Sequence, residues 1–217
     1  MKTVTAIEVQ KNNLRRVNIY LDDEFAFGLA KITAAWLKIG QHVDEQKIQK
    51  LLFDEALEKA YQQSMLFLSF RARSEAEIRK NLAKHEFPAE VLDETIQRLR
   101  AERLVNDEEF AQAWVANRSE FRPRSRRALT VELKRKGVAE SAIRAATEAL
   151  DEESLAYAAA QKQVRRLSGL EWVTFREKLS GFLARRGFSY EIISPTVKRL
   201  WSEHGGSLDN ENFEEHP

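Results

Sequence analysis

The chain has 217 residues, of which 43% are hydrophobic and 32% are charged, and its 35 basic and 34 acidic side chains give a formal net charge of +1. This composition excludes wholesale disorder, and the absence of cysteine excludes disulfides, thiolate metal sites and thiol nucleophiles. No apolar run reaches the length of a signal peptide or a membrane span, so we expect a soluble, cytoplasmic protein without a membrane partner.

The pattern at the start of the chain is typical of β-structure. Apolar residues alternate with mostly polar ones in residues 4–9 and 17–21, on either side of a short polar break, which predicts a β-hairpin. A turn at Asp22–Asp23 then favours a third short strand over residues 24–28.

The pattern becomes helical from about Leu29 and stays so up to Gly40, and a further short helix is predicted for residues 44–53. We interpret residues 1–55 as a small module that covers the open end of a helical array. The alternative is that an exposed edge of the hairpin docks on a partner.

From residue 56 onward one helical unit recurs three times, with copies ending near Leu99, Leu150 and Leu200. Four apolar columns align at a spacing of about 50 residues: Leu82, Leu133 and Leu183; Phe87, Val138 and Phe188; Leu92, Ile143 and Ile193; Leu99, Leu150 and Leu200. The prediction is a mainly α protein with three tandem three-helix repeats, helix-turn-helix-like, behind the small β-hairpin/α module. We expect the repeats at 56–105, 106–151 and 152–202, followed by an acidic, disordered tail at 203–217.

Several helix boundaries can be predicted inside the repeats. Ser74 to Glu77 has the sequence of a capping box, which opens a helix. Gly137 and Gly187 lie where a left-handed residue commonly closes a helix, and Pro88 suits a helix start. Pro195 should kink the last helix or make it restart at Ser194.

The strongest binding signal is a basic run at residues 118–136, which contains eight basic residues and two acidic ones. Three of the cations, Lys134 to Lys136, also lie at a predicted helix end, where the helix dipole favours positive charge. A local field of this kind favours an anionic partner, even though the whole chain is almost neutral.

Signals for catalysis are mostly missing. The four histidines are scattered without the spacing of a metal site, and the glycines form neither a phosphate-binding loop nor a dinucleotide fingerprint. The carboxylates alternate with bases along helices, which is typical of a solvated face. We therefore expect no cofactor, no metal and no enzymatic activity, with paired-acid catalysis as the less favoured alternative.

Three short motifs carry a resemblance to a known family. They are Arg73-Ser74-Glu75-x-Glu77-Ile78, Leu104-x-x-Asp107-x-x-Phe110-Ala111 and Glu132-Leu133-x-x-Lys136-Gly137. Over residues 3–201 the chain resembles the RecX family of recombinase regulators. It departs from the family pattern in the basic linker, where Pro123-Arg124-Ser125 stands in place of a segment that commonly contains glycine.

The resemblance implies a monomeric modulator of the RecA recombinase. Family members lodge as three-helix repeats in the helical groove of the RecA filament on single-stranded DNA, and they lower its ATPase, strand-exchange and coprotease activities. Whether filaments are capped, blocked or dismantled stays open, as does direct binding of DNA. The residues that we expect to contact the partner or nucleic acid are Arg71, Arg73, Arg122, Arg124, Arg126, Arg127, Lys134, Arg135, Lys136, Arg185 and Arg186.

Two other functions are considered. The first is an independent helix-turn-helix-like DNA-binding protein, although the third helix of repeat two, AESAIRAATEAL, offers little to base edges. The second is a structural adaptor whose charges are merely solvated. Solvation is the favoured interpretation for any single arginine, whereas binding is favoured for the cluster at 118–136 as a whole.

Overall fold

The structure, a computed structural model, describes residues 1–204. The chain divides into two compact units, with the division between Asn106 and Asp107. The first unit contains a small β-sheet and one three-helix repeat, and the second contains two three-helix repeats. The fold is therefore mainly α with a small N-terminal strand module, as the sequence predicts.

The sheet has four strands in the order β3-β2-β1-β4: β1 is Lys2–Gln10, β2 is Asn13–Leu21, β3 is Glu24–Ala30 and β4 is His42–Val43. The predicted hairpin and third strand are confirmed, and all the pairings are antiparallel. Asp22 and Asp23 both have positive φ, as a tight two-residue hairpin turn requires. One sheet face is buried and contributes Val4, Val17, Ile19, Leu21 and Leu29 to the core.

The helix predicted to extend from Leu29 towards Gly40 is much shorter. Helix α1 spans only Lys31–Ala34, and three apolar side chains that the pattern assigned to it are exposed: Ile32, Trp36 and Ile39. Two backbone hydrogen bonds explain the difference, because Gly40 N–H donates to the Val4 carbonyl and Val4 N–H donates to the Gln41 carbonyl. These bonds hold residues 35–41 against β1 as a loop. A helix that continued to Gly40 could not make them.

Helix α2 spans Glu45–Ser69 as one 25-residue helix, whereas the sequence suggested a short helix at 44–53 and a second from residue 56. Asp44 caps its start by accepting a hydrogen bond from the Lys47 amide at 2.8 Å. No glycine or proline lies between the two predicted pieces, so nothing interrupts the backbone hydrogen bonds there. The helix thus connects the sheet to the first repeat.

The first repeat is completed by α3, Glu75–Lys84, and α4, Ala89–Ala101. The capping box is confirmed, because the Ser74 hydroxyl accepts from the Glu77 amide and the Glu77 carboxylate accepts from the Ser74 amide. The core of the repeat consists of Ala60, Ile78, Leu82, Val91, Ile96, Leu99 and Val105.

The second unit repeats this arrangement twice. Its helices are α5 (Asp107–Phe121), α6 (Arg126–Arg135), α7 (Glu140–Thr147), α8 (Glu152–Val164), α9 (Trp172–Arg185) and α10 (Tyr190–Glu203). The aligned columns face the cores, and Leu82, Leu133 and Leu183 are each fully buried. Helix α10 continues through Pro195 to Glu203, so it does not restart at Ser194. The predicted disordered tail lies outside the described residues from residue 205 onward.

The residue that closes the middle helix of each repeat has a left-handed backbone. Gly137 and Gly187 occupy this position in the second unit with φ of 76° and 91°, but in the first repeat the position is held by Glu86, with φ of 62°. A residue with a Cβ atom is disfavoured in this conformation by about 1 kcal/mol. Glu86 is also exposed, so its side chain gains little packing in return.

Glu86→Gly is therefore expected to stabilise the first unit, because glycine adopts the left-handed conformation without the Cβ clash. We expect a gain of about 0.5–1 kcal/mol and a rise in melting temperature of about 2–5 °C. Thermal unfolding followed by circular dichroism measures this change. The matched control is Glu94→Gly inside α4, where the same substitution should destabilise by about 1 kcal/mol; a fall in stability for both variants would contradict the argument.

Candidate nucleic-acid and partner interface

Two of the predicted contact residues, Arg71 and Arg73, lie in the first unit at the turn between α2 and α3. Arg71 Nη2 is 2.9 Å from the Glu77 carboxylate, and Arg71 Nη1 donates to the Ala72 carbonyl. Arg73 stacks on the Phe67 ring at 3.9 Å, and burial, followed by the charge of Arg71, lowers the pKa of Arg73. Both guanidinium groups already stabilise this turn, so their role in binding stays a prediction.

The other predicted contact residues lie in the second unit, and Arg126 among them has a structural role. Its Nη2 donates to the carbonyls of Glu148 and Leu150 at 3.2 and 3.1 Å, near the C-terminal end of α7. Its backbone amide donates to the Glu152 carboxylate at 3.0 Å. The side chain therefore satisfies carbonyls at and just after the end of α7, and the backbone amide joins the second repeat to the start of the third.

Arg124 is held by a carboxylate that sequence reasoning did not single out. Glu132 accepts from Arg124 at 3.1 Å and from Arg118 at 3.0 Å. The same carboxylate accepts from the indole N–H of Trp114 at 2.8 Å. These partners lie 8 to 18 residues away from Glu132 in sequence, so local spacing did not reveal them. Two of the eight cations of the basic run therefore share one carboxylate inside the repeat.

The lysines at the end of α6 also have neighbours within the repeat. Lys134 Nζ is 3.9 Å from the Glu140 carboxylate, with both side chains exposed. Lys136 Nζ lies 4.3 Å from the centre of the Trp114 ring, which is a cation–π contact. Trp114 is half-buried against the core of its repeat rather than fully buried.

Arg186 joins the basic linker to the third repeat. Its Nη1 donates to the Pro123 carbonyl at 2.9 Å, and its backbone carbonyl accepts from the Ser125 amide at 3.1 Å. The guanidinium group lies 4.6 Å from the Phe182 ring. Burial lowers the pKa of Arg186, and the charges of Arg124 and Arg122 lower it further. Linker and α9 thus bring three arginines close together.

Four of the predicted arginines, here called the open arginines, are exposed, and their side chains make no hydrogen bond or ion pair within residues 1–204. The open arginines are Arg122, Arg127, Arg135 and Arg185. Arg127 and Arg135 line a cleft of about 290 Å³ between α6 and the end of α9. These four guanidinium groups are available to an external anion. In this they differ from Arg124, Arg126 and Arg186, which already bond other parts of the second unit.

A second cleft, of about 280 Å³, was missed by the sequence analysis. Lys162, Arg166 and Arg186 line it together with the rings of Phe121 and Phe182, and no carboxylate contributes to its lining. The Phe121 ring is 62% exposed although it is large and apolar. The basic residues of the segment 162–166 were visible in the sequence, but their placement beside the linker depends on the packing of α8.

Within residues 1–204, no group of three or more histidine, aspartate or glutamate side chains is arranged to hold a metal ion. Over the same residues, no helix combines the length and the apolar character that a membrane span requires. The features that the second unit offers to a ligand are its open arginines and its basic, partly aromatic clefts.

Comparison with family models gives four consecutive matches. Residues 2–44 match the regulatory protein RecX N-terminal domain, and residues 60–99, 106–146 and 151–196 match the first, second and third three-helix domains of RecX. The matches therefore cover the sheet and all three repeats in their order along the chain.

Curated proteins and solved structures agree with these matches. Regulatory protein RecX of Bacillus pumilus is 35% identical over 206 residues, which cover 93% of this chain and 78% of that protein. The RecX protein of Bacillus subtilis is 29% identical, with 100% of this chain and 84% of that protein covered. A crystal structure of regulatory protein RecX superposes with a TM-score of 0.71 at 27% identity, covering 91% of this chain and 100% of that one.

Proposed function

Since this chain belongs to the RecX family of regulatory proteins, we propose that it regulates the RecA recombinase by binding the RecA filament on single-stranded DNA. In this proposal it lowers the ATPase, strand-exchange and coprotease activities of the filament, and so acts in DNA repair, recombination control and the SOS response. It acts as a cytoplasmic monomer, through binding and without catalysis of its own.

The observation that supports this proposal most directly is the set of open arginines. Exposed guanidinium groups without an internal partner suit carboxylates on a protein surface and phosphates on a nucleic acid equally well, because their planar fork matches both. A filament of RecA on DNA offers both kinds of anion. The structurally committed cations, such as Arg126, support the surface by holding the repeats in place.

The repeat architecture supports binding to a polymer. We propose the repeats 56–105, 106–151 and 152–202 as the units that contact the filament. Several weak contacts on one chain reinforce one another, because once one repeat is bound the others meet their sites at a high effective concentration. This makes inhibition at low molar ratios possible without a single very strong contact.

Direct binding of single-stranded DNA is the second candidate, and the cleft beside Phe121 favours it. An exposed aromatic ring next to cations is a common platform for base stacking with phosphate contacts. Recognition of base edges in duplex DNA is less supported, because the exposed residues of α7 include Glu140 and Arg144 but neither asparagine nor glutamine.

Titration of the single-stranded-DNA-dependent ATPase of RecA tests the proposed function. We expect inhibition at ratios well below one molecule of this protein per RecA subunit, because each bound molecule affects a filament and not a single subunit. An unchanged ATPase up to equimolar protein, together with salt-sensitive binding to DNA alone, would reject filament regulation in favour of an independent DNA-binding protein.

A further inference from the structure

The first unit contains a groove of about 890 Å³, larger than either cleft of the second unit. Its walls are the start of β2, the end of β3 with the first residues of α1, one face of α2, and the loop after α3. None of its lining residues is among the contact residues predicted from the sequence, and none is an open arginine.

The sheet leaves a strand position vacant beside this groove. The pairing of β2 with β3 begins at Arg16, which lies opposite Ala30, and the chain then leaves the sheet into α1. Asn13, Leu14 and Arg15 belong to β2 but have no partner in β3. An extended segment that enters the groove in line with β3 can continue the ladder, which is the geometry of peptide binding by strand addition.

The groove exposes apolar side chains along this path. Leu14 is 70% exposed, Ile32 is 69% exposed and Leu66 is 57% exposed, although each lines a concave surface. Gln62 and Gln63 lie on the α2 wall. Their amide nitrogens donate to Glu58 and Asn81, and their carbonyl oxygens can accept from N–H groups of a ligand. This combination of exposed apolar positions and side-chain amides suits a peptide better than a small charged ligand.

The charge of the groove is positive once its internal pairs are counted. The buried Glu55 is held by Arg16 at 2.6 Å and Lys59 at 3.4 Å, and it also accepts from the Ala30 amide. Glu58 pairs with Arg98 at 3.4 Å. Within residues 1–204, the side chains of Arg15 and Lys31 make no hydrogen bond or ion pair, and both are exposed.

The free part of β2 alternates in character. Leu14 and Arg15 are consecutive strand residues, so their side chains point to opposite faces of the sheet. A strand paired with them has an apolar neighbour, Leu14, on one face and a cation, Arg15, on the other. Favourable cross-strand pairs therefore require apolar side chains opposite Leu14 and carboxylates opposite Arg15. The matching ligand is therefore an extended segment in which apolar and acidic residues alternate.

We propose that this groove binds an extended acidic segment of a partner protein, in which apolar residues alternate with glutamate or aspartate, as a strand added beside the start of β2. The site goes beyond the proposed regulation of RecA, because none of its lining residues is among the predicted contact residues and because its contact is made by strand pairing. The proposed ligand of the groove is a peptide. Binding of a nucleic acid at the same residues would contradict the proposal.

The test uses the full-length protein and a fluorescein-labelled peptide of nine residues, LEVELEVEL, with binding followed by fluorescence anisotropy. We expect saturable binding that weakens at least fivefold in the double variant Arg15→Glu/Lys31→Glu and in Leu14→Asp. A peptide with lysine in place of glutamate should not bind. The control variant Lys47→Glu/Lys50→Glu makes the same charge change on exposed α2 positions outside the groove lining, and it should bind the peptide like the unaltered protein.

Strand addition has a separate signature. Methylation of the backbone nitrogen at every second residue gives two peptides, or phases: one methylated at the apolar residues and one at the glutamates. Only one of these two sets of amides faces β2 in an added strand, so one phase should lose binding and the other should retain it. The proposal is overturned by absence of binding, by equal binding of the lysine peptide, by equal weakening in the control variant, or by retained binding in both methylation phases. Displacement of the peptide by oligothymidylate at these residues would reassign the groove to nucleic acid.

Discussion

Replacement of all four open arginines by alanine is expected to raise the concentration needed for half-inhibition of the RecA ATPase at least tenfold, about 1.4 kcal/mol of binding free energy. Each exposed ion pair contributes roughly 0.2–1 kcal/mol, so four lost contacts together reach this size. The fold should be kept, because none of these side chains makes a hydrogen bond or ion pair within residues 1–204. The salt dependence of binding should also become shallower, because fewer cations meet anions of the partner.

A matched control removes four other cations from the same unit. Arg144, Arg165, Arg176 and Lys178 are exposed and do not line the two basic clefts. Their replacement by alanine changes the net charge by the same amount, so a general electrostatic effect should appear equally in both variants. An inhibition curve that is the same for the two folded variants would remove the open arginines from the interface. Arg124 and Arg126, which are also predicted contact residues, are left unchanged in both variants because both support the structure.

Leu133→Ala is expected to lower the free energy of unfolding of the second unit by about 2–5 kcal/mol. The side chain is fully buried and belongs to the core cluster that contains Phe110, Leu129 and Ile143. Truncation leaves a cavity in a core shared by only three helices. Urea denaturation followed by tryptophan fluorescence should show a midpoint lower by about 0.7 M or more, for a typical dependence of 1–3 kcal/mol per molar urea.

The control for this prediction lies on the same helix. Val131 is 42% exposed, so Val131→Ala should change stability by no more than about 0.5 kcal/mol. The aligned substitutions Leu82→Ala and Leu183→Ala should cost as much as Leu133→Ala, because all three leucines are fully buried in corresponding cores. A loss below about 1 kcal/mol for Leu133→Ala would contradict the assignment of these columns to the cores.

The repeats could be predicted because their cores obey a long-range period. Leu82, Leu133 and Leu183 are buried at the same place in each copy, and such columns are visible without knowledge of the packing. The continuity of α2 was not predicted, because the period suggested a new unit at residue 56 and periodicity alone does not locate a helix end. The loop after α1 was also missed, since it depends on backbone hydrogen bonds to β1 that leave no side-chain pattern.

The basic surface could be predicted as a region but not residue by residue. A count of charges treats Arg126 and Arg127 alike, although Arg126 satisfies carbonyls more than 20 residues away and Arg127 has no such partner within residues 1–204. The contact of Arg186 with Pro123 spans 63 residues. Local charge patterns cannot distinguish cations used inside the fold from those left for a ligand, because the distinction is made by tertiary packing.

The junction at Gly187 positions the arginines of the proposed interface. A Cβ atom there would lie 2.6 Å from the Ser125 hydroxyl and 2.9 Å from the Ala128 side chain, so glycine permits the linker and the end of α9 to pack in close contact. This contact fixes the backbone positions from which the neighbouring arginine side chains extend. In the proposed interface, arginines on a fixed backbone lose less conformational entropy on binding than arginines on a flexible one, and they discriminate among polyanions by the spacing of the charges as well as by their number.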